Sequence, residues 1–359
     1  MPIFFDINKN FICYFFIFGV NYKLAYFNKE SFMNLESPAT IIGRAKDAWN
    51  GNPAGNRRIV LFYALPALLL PLVVMAINLL LDQQLADTGG LSGIGLRSSL
   101  ETVQAVLSFA LRLLLPFWQL GLISCALAIS NGKTPSTDHL FEGFRRWGAA
   151  LRLMLFRTIR YTLATLAGLF LGSTLYTVTP LSNQFLAASQ LVAADPAYAN
   201  ATAEELMAAV ISHTGFWSIL PYYILCALGI AFLVIPLFYR YRMSNYILLE
   251  NENPRALLCV HESTCMMRGN AKALFKLDLH LWWYYILNAV PAVIAYGDLL
   301  LPLFGIALPF SEQWAFVIFA LLSSLTQFAV FYLFTGQVET IYACAYTTLK
   351  SSEGGNETL

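Results

Sequence analysis

Three groups of residues in this 359-residue chain have types and spacing that could do chemistry. The first is Phe238-Tyr239-Arg240-Tyr241-Arg242, where rings and guanidinium groups alternate. Such a pattern can stack on nucleic-acid bases, hold an anionic lipid headgroup, or mark where a chain leaves a membrane. The second is Arg112, four residues ahead of Pro116 in LSFALRLLLPFW. Proline removes the hydrogen bond to the carbonyl four residues back, so a cation and an open backbone acceptor coincide. That coincidence is found in transporter sites; the plainer reading is an arginine that snorkels to the interface beside an ordinary proline bend. The third is Ser324, Gln327, Thr335 and Glu339, which share roughly one helical face. They form either one wall of a polar pathway or a set of interhelical hydrogen bonds with Glu339 at the cytoplasmic edge. Arg112, Gln327 and Glu339 are the candidate intramembrane polar site, because polar groups are costly at membrane depth.

Enzyme chemistry has less to build on. The sequence holds no phosphate-binding loop, zinc-protease helix or Gly-x-Ser-x-Gly elbow. His139, His213, His261 and His280 fall on separate elements, and His261-Glu262 reads as a solvated face. The six cysteines are scattered without a Cys-x-x-Cys pair, as small buried residues would be. The expectation is no enzyme, no metal and no cofactor.

Composition sets the elements that must hold these groups. The chain is 58% hydrophobic and 12% charged, with mean hydropathy +0.60. A soluble chain would be about one quarter charged. The deficit marks an integral membrane protein. A spanning helix needs ~20 mostly apolar residues. Six segments meet that: Ile59–Leu81, Val103–Ile129, Tyr161–Thr179, Phe216–Tyr239, Leu277–Tyr296 and Trp314–Tyr342. The fifth is the least regular and runs on through DLLLPLFGIALP. The expected fold class is all-α: a polytopic membrane protein with six transmembrane helices and short cytoplasmic interfacial amphipathic helices.

Lysine and arginine give the orientation. Arg44, Lys46, Arg57 and Arg58 precede the first span. Lys133, Arg145, Arg146, Arg152, Arg157 and Arg160 lie between the second and third. Arg240, Arg242, Arg255, Arg268, Lys272 and Lys276 lie between the fourth and fifth, and Lys350 follows the sixth. The opposite loops hold Arg97 alone. Both termini are therefore expected in the cytoplasm. Residues 1–32 differ in composition, being rich in Phe, Asn, Lys and Ile without Arg or Trp. Their run FICYFFIFGV is too short to span and lacks a small-residue cleavage site, which reads against a signal peptide. Met33 is the expected natural start, with an interfacial anchor as the alternative for what precedes it. The expected domains are that extension, an interfacial segment over 33–58, the membrane domain over 59–349 and a disordered tail over 350–359.

Each basic region repeats one grammar. Ser37-Pro38, Thr134-Pro135 and Asn253-Pro254 pair a capping residue with a proline suited to a helix start. Apolar stripes at helical spacing follow: Ile41, Ile42, Ala45, Ala48 and Trp49; then Leu140, Phe141, Phe144, Trp147 and Leu151; then Leu257, Val260, Thr264 and Met267. Gly51, Gly148 and Gly269 close them. The pattern predicts three interfacial helices, each leading into a helical hairpin, with apolar faces in the headgroup boundary. Arg145, Arg146, Trp147, Arg240 and Arg242 are the candidate interfacial, headgroup-contacting residues. Nucleic acid is excluded for the last two, because ALGIAFLVIPLF before them is membrane-buried and places them at the exit plane.

The run YRYRMSNYILLENENP, followed by HESTCMMRGNAKALFKLDLHLWW, resembles domain-of-unknown-function family 975 of bacterial integral membrane proteins. The matching positions are Tyr239, Arg240, Tyr241, Tyr246, Ile247, Leu248, Asn253, Pro254, Ser263, Met267, Gly269, Leu274, Phe275, Leu277 and Leu279. LFEGFRRW, Leu140–Trp147, is similar to the family's other recurring block. Ala271 stands where that family usually has Lys, and HLWWYY replaces its usual Ser-Phe-x-Gly-Trp. The resemblance spans roughly Glu36 to Leu349. It implies a bacterial plasma-membrane setting and no assigned activity. The expected function is a non-enzymatic membrane-embedded interaction, assembly or lipid-associated module. A transporter or permease-like component for a small or amphiphilic solute is the alternative, and an intramembrane enzyme a more remote one. Expected partners are membrane lipids with anionic headgroups, and a protein partner or a second copy.

Overall fold

Ser37 and Pro38 open the first helix as the sequence predicts. The Ser37 hydroxyl accepts the Thr40 amide at 3.3 Å, and Pro38 fills a first-turn position whose N–H would have no intrahelical partner. The computed structural model describes residues 35–87, 91–198, 203–214, 216–251, 255–297, 301 and 312–354. The expectations for residues 1–32 and for Asn253-Pro254 lie outside the described residues, as does the side chain of Arg112.

Every regular element among the described residues is helical. In chain order they are α1 (Pro38–Asn50), α2 (Pro53–Asp87), α3 (Leu91–Ser130), α4 (Thr137–Leu140), α5 (Glu142–Arg145) and α6 (Trp147–Thr177). There follow α7 (Pro180–Ala194), a short turn at Pro196–Tyr198, α8 (Ala203–Thr214), α9 (Phe216–Tyr241), α10 (Ser244–Glu250) and α11 (Ala256–Met266). The last are α12 (Ala271–His280), α13 (Trp282–Ala295), α14 (Glu312–Val330) and α15 (Gly336–Gly354). A π-helical turn, Phe331–Thr335, joins α14 to α15. Three stretches are long and apolar enough to cross a membrane: Trp147–Thr177, Leu220–Glu250 and Trp314–Ser351.

The structure departs from the sequence reading in five places. The second short helix is capped by Ser136, whose amide donates to His139 Nδ1 at 3.2 Å; Thr134 and Pro135 stay outside it. That element also splits at Phe141 into α4 and α5, and Gly148 lies inside α6 rather than closing anything. The fifth apolar segment, Leu277–Tyr296, is divided at Leu281, so α13 has only 14 residues. Pro116 does not break α3, which runs on through it. Finally, α15 continues past Lys350 to Gly354. Gly269 does stop a helix: its φ of 85° is a left-handed value that favours glycine.

Packing is densest where the short helices gather. Ile41 and Ala45 of α1, Leu120 and Ile123 of α3, Leu248 of α10, Leu277 of α12 and Tyr342 and Tyr346 of α15 are buried together there. The chain crosses itself closely at glycines. A Cβ on Gly121 would lie 1.8 Å from the Leu140 carbonyl oxygen, and one on Gly143 would lie 2.1 Å from that of Phe117. These two glycines let the α4–α5 segment lie directly on α3. On α6, Gly168 and Gly172 stand one turn apart and admit the α9 backbone at Gly229, Ile230 and Cys226. The long helices, by contrast, turn large apolar side chains outward: Phe109 is 69% exposed and Phe232 72%. That is the inverse of a water-soluble helix and suits a hydrocarbon solvent.

Candidate functional site

Arg240 and Arg242 are two residues apart on a helix end, so about 200° of rotation separates them. They cannot share a surface. Arg240 is exposed, while Arg242 points inward. Phe238, one turn back, puts its ring under the Arg242 guanidinium, with Cζ 4.9 Å from the centroid. Tyr342 of α15 supplies a second ring at 4.2 Å. Cation–π contacts of this kind are stronger when the cation is desolvated. Among the described residues, no oxygen accepts a hydrogen bond from this guanidinium. Its compensating charge is Glu339, within electrostatic reach on α15.

Asp278 is the hub of the same site. It lies on α12, buried, and both carboxylate oxygens accept phenols. Tyr239 donates to Oδ2 at 2.6 Å and Tyr342 to Oδ1 at 2.5 Å. The hydroxyls of Tyr342 and Tyr285 share a further bond at 2.7 Å. Nearby, Tyr246 donates to Glu339 Oε2 at 3.2 Å, and Tyr284 and Thr335 share a hydrogen bond at 3.0 Å. Tyr246 stacks on Tyr346, whose hydroxyl donates to Glu250; Lys350 reaches that carboxylate at 2.7 Å. One cation, two carboxylates and a set of tyrosines thus bind four elements: the end of α9, α12 with α13, and α15. Two helix irregularities flank it, the break at Leu281 and the π turn before Gly336. Such a site can pin the helices, or pass a proton between carboxylates through phenols.

A second cluster does plain structural work. Arg146 pairs with Glu142 at 2.7 Å and donates Nη1 to the Leu248 carbonyl at 2.9 Å and to that of Asn251. Those carbonyls close α10 and have no helical partner, so the arginine caps them and meets the negative end of the helix dipole. Arg157 donates to Asn245 Oδ1 at 2.9 Å and Arg160 to the Tyr241 hydroxyl at 3.1 Å. The basic start of α6 is therefore bolted to the α9–α10 corner.

The remaining expected residues sit apart from one another. Arg145 forms exposed ion pairs with Asp138 at 3.2 Å and Glu142 at 3.7 Å. Trp147 is 62% exposed. Gln327 is half-buried on α14, while Glu339 belongs with Arg242 on α15. Sequence reasoning did not single out Asp278, Tyr239, Tyr285 or Tyr342 as site residues. A signal was present in KALFKLDLHLWW: Asp278 is an acid flanked by Leu277 and Leu279, on the side away from the lysines. No family model, no curated protein and no solved structure matches the chain.

Proposed function

We propose that this chain is a six-span, non-enzymatic protein of the bacterial plasma membrane, with both termini cytoplasmic and a kinship to family 975. In this reading it works as a lipid-associated membrane module whose basic face engages anionic headgroups. The observation that carries it is the surface of the short helices. Phe141, Trp147, Leu257, Leu258, Phe275, Leu279 and Trp282 are exposed apolar side chains, and Arg240, Arg268, Lys272 and Lys276 are exposed among them. Apolar and basic groups interleaved on short helices suit a headgroup boundary. The test is lipid retention by the detergent-purified chain, read by native mass spectrometry. Phosphatidylglycerol should be retained over phosphatidylcholine, and joint replacement of Arg240, Arg268, Lys272 and Lys276 by Gln should remove the preference. Equal retention of both lipids would sink the reading. Topology is checked with single cysteines at Ser98 and Ser351 in a background without the native ones. Ser98→Cys should label in intact cells, and Ser351→Cys only after permeabilisation.

The Arg242 site supports a second reading, transport. Ionisable groups beside interrupted helices are the usual furniture of coupling sites. Vesicles carrying the chain and a trapped pH dye should then dissipate a proton gradient faster than empty ones, and Asp278→Asn should abolish the excess. A rate equal to that of empty vesicles excludes proton coupling.

A further inference from the structure

A cleft of about 230 Å³ opens beside the π turn, lined by Trp49, Arg57, Tyr332, Leu333, Phe334 and Gln337. It shares no lining residue with the Arg242 site. Its shape follows from the backbone. A π turn carries an extra residue, which shifts the following side chains round the helix axis. Gly336 comes next, and a Cβ there would stand 2.4 Å from Val60 Cγ2 and 2.8 Å from Trp49 Cη2. The helix thus closes on α1 and α2 at Gly336 and leaves a gap beside Leu333 and Phe334.

The walls have two chemistries. Trp49, Tyr332, Leu333 and Phe334 offer ring and aliphatic surface, with Leu333 itself exposed. Arg57 and Gln337 are exposed at the rim, and neither side chain has a hydrogen-bond partner among the described residues. No acid lines the cleft. We infer that it is a site for one anionic phospholipid. Arg57 and Gln337 hold the headgroup phosphate, and an acyl chain lies along Leu333 on the spanning helix.

Arginine is the side chain best matched to a phosphate's paired oxygens. A small soluble anion would use the rim and leave the apolar wall uncovered. A zwitterionic headgroup would bring its own cation toward Arg57. The cleft volume suits a headgroup and its glycerol, with the chains continuing outside. This inference rests on the membrane-spanning reading of residues 314–351.

The test uses the full chain in phosphatidylcholine nanodiscs, with phosphatidylglycerol bearing a photoactivatable group near its glycerol. Label should concentrate on peptides holding Trp49 and residues 331–337. Arg57→Gln should lower it about five- to tenfold, the scale of a lost charge-assisted bond. Gln337→Ala should lower it less, and Arg57→Lys should keep part of it. Equal labelling by photoactivatable phosphatidylcholine, or labelling unchanged in Arg57→Gln, overturns the site in favour of ordinary boundary lipid. Displacement of the label by inorganic phosphate overturns it in favour of a soluble anion. A chain that washes out of membranes with alkaline carbonate fails the spanning reading itself, and the site with it.

Discussion

Two junctions hold the apolar helices together, and they do so by opposite means. Where α6 crosses α9, contact is made by absence: Gly168, Gly172 and Gly229 remove side chains until the backbones touch. Where α9, α12, α13 and α15 meet, contact is made by bulk and charge: Arg242, Asp278, Glu339 and five tyrosines fill the space. Between helices in hydrocarbon there is little hydrophobic drive, so close packing and polar contacts must serve. The difference lies in what each junction tolerates. A glycine crossing fits one geometry. A charge cluster holds groups whose balance can be altered in pairs, and only that junction could change state during function.

Breaking the charge balance should have the largest effect. Arg242→Gln leaves Glu339 without its compensating cation and should cost about 3 kcal/mol, the scale of an uncompensated buried charge. Adding Glu339→Gln should restore at least half of it, because the two losses are coupled. Thermal unfolding in detergent, followed by size exclusion, measures both. Losses that simply add would mean that the rings, not the charges, hold this junction. At the glycine crossing, Gly172→Leu should cost about 2 kcal/mol through forced displacement of the backbone. Here a second substitution should not help. The obstructing atom is Cys226 Cα, at 2.4 Å, so Cys226→Gly relieves nothing. Recovery in that double variant would show that side chains set this crossing. Smaller again is Asp278→Ala, which leaves the Tyr239 and Tyr342 hydroxyls without their acceptor and should cost about 1–2 kcal/mol. Asp278→Asn keeps one acceptor oxygen and should cost less in the same assay.

The two junctions also differ in how readable they were. The helical class, the apolar stretches and the cap at Ser37 follow from local rules that need no partner. The first amphipathic stripe was equally legible, for Ile41, Ala45 and Trp49 are the buried residues of α1. The second cap was misplaced because Thr134 and Ser136 have nearly equal capping strength, and His139 decides between them by bonding Ser136. Glu339 was singled out by its place on a polar face. Asp278 was passed over because its meaning comes from Tyr239 and Tyr342, 39 and 64 residues away. The split of Leu277–Tyr296 at Leu281 was invisible to hydropathy, which counts apolar residues and not their hydrogen bonds. Glycine crossings pose the same difficulty. Gly168 and Gly172 show the small-residue spacing, but only the fold names α9 as the neighbour.

The smallest expected effect gives the sharpest contrast, because it compares one residue type at two positions. Arg240 and Arg242 share a helix end and face opposite ways. In detergent, Arg240→Gln should change stability by no more than about 0.5 kcal/mol, as exposed substitutions usually do. In vesicles rich in phosphatidylglycerol it should weaken the preference for anionic lipid by about 1 kcal/mol, the usual worth of one basic residue near a charged surface. Added salt should erase that difference by screening. Arg242→Gln should behave in the reverse way, with a large loss in either setting and little dependence on lipid charge or salt, since its compensating group is inside the protein. If both variants respond to lipid charge alike, Arg242 faces the headgroups after all, and the buried site loses its cation. If neither responds, the basic rim serves only to orient the chain, and lipid specificity must be sought at Arg57.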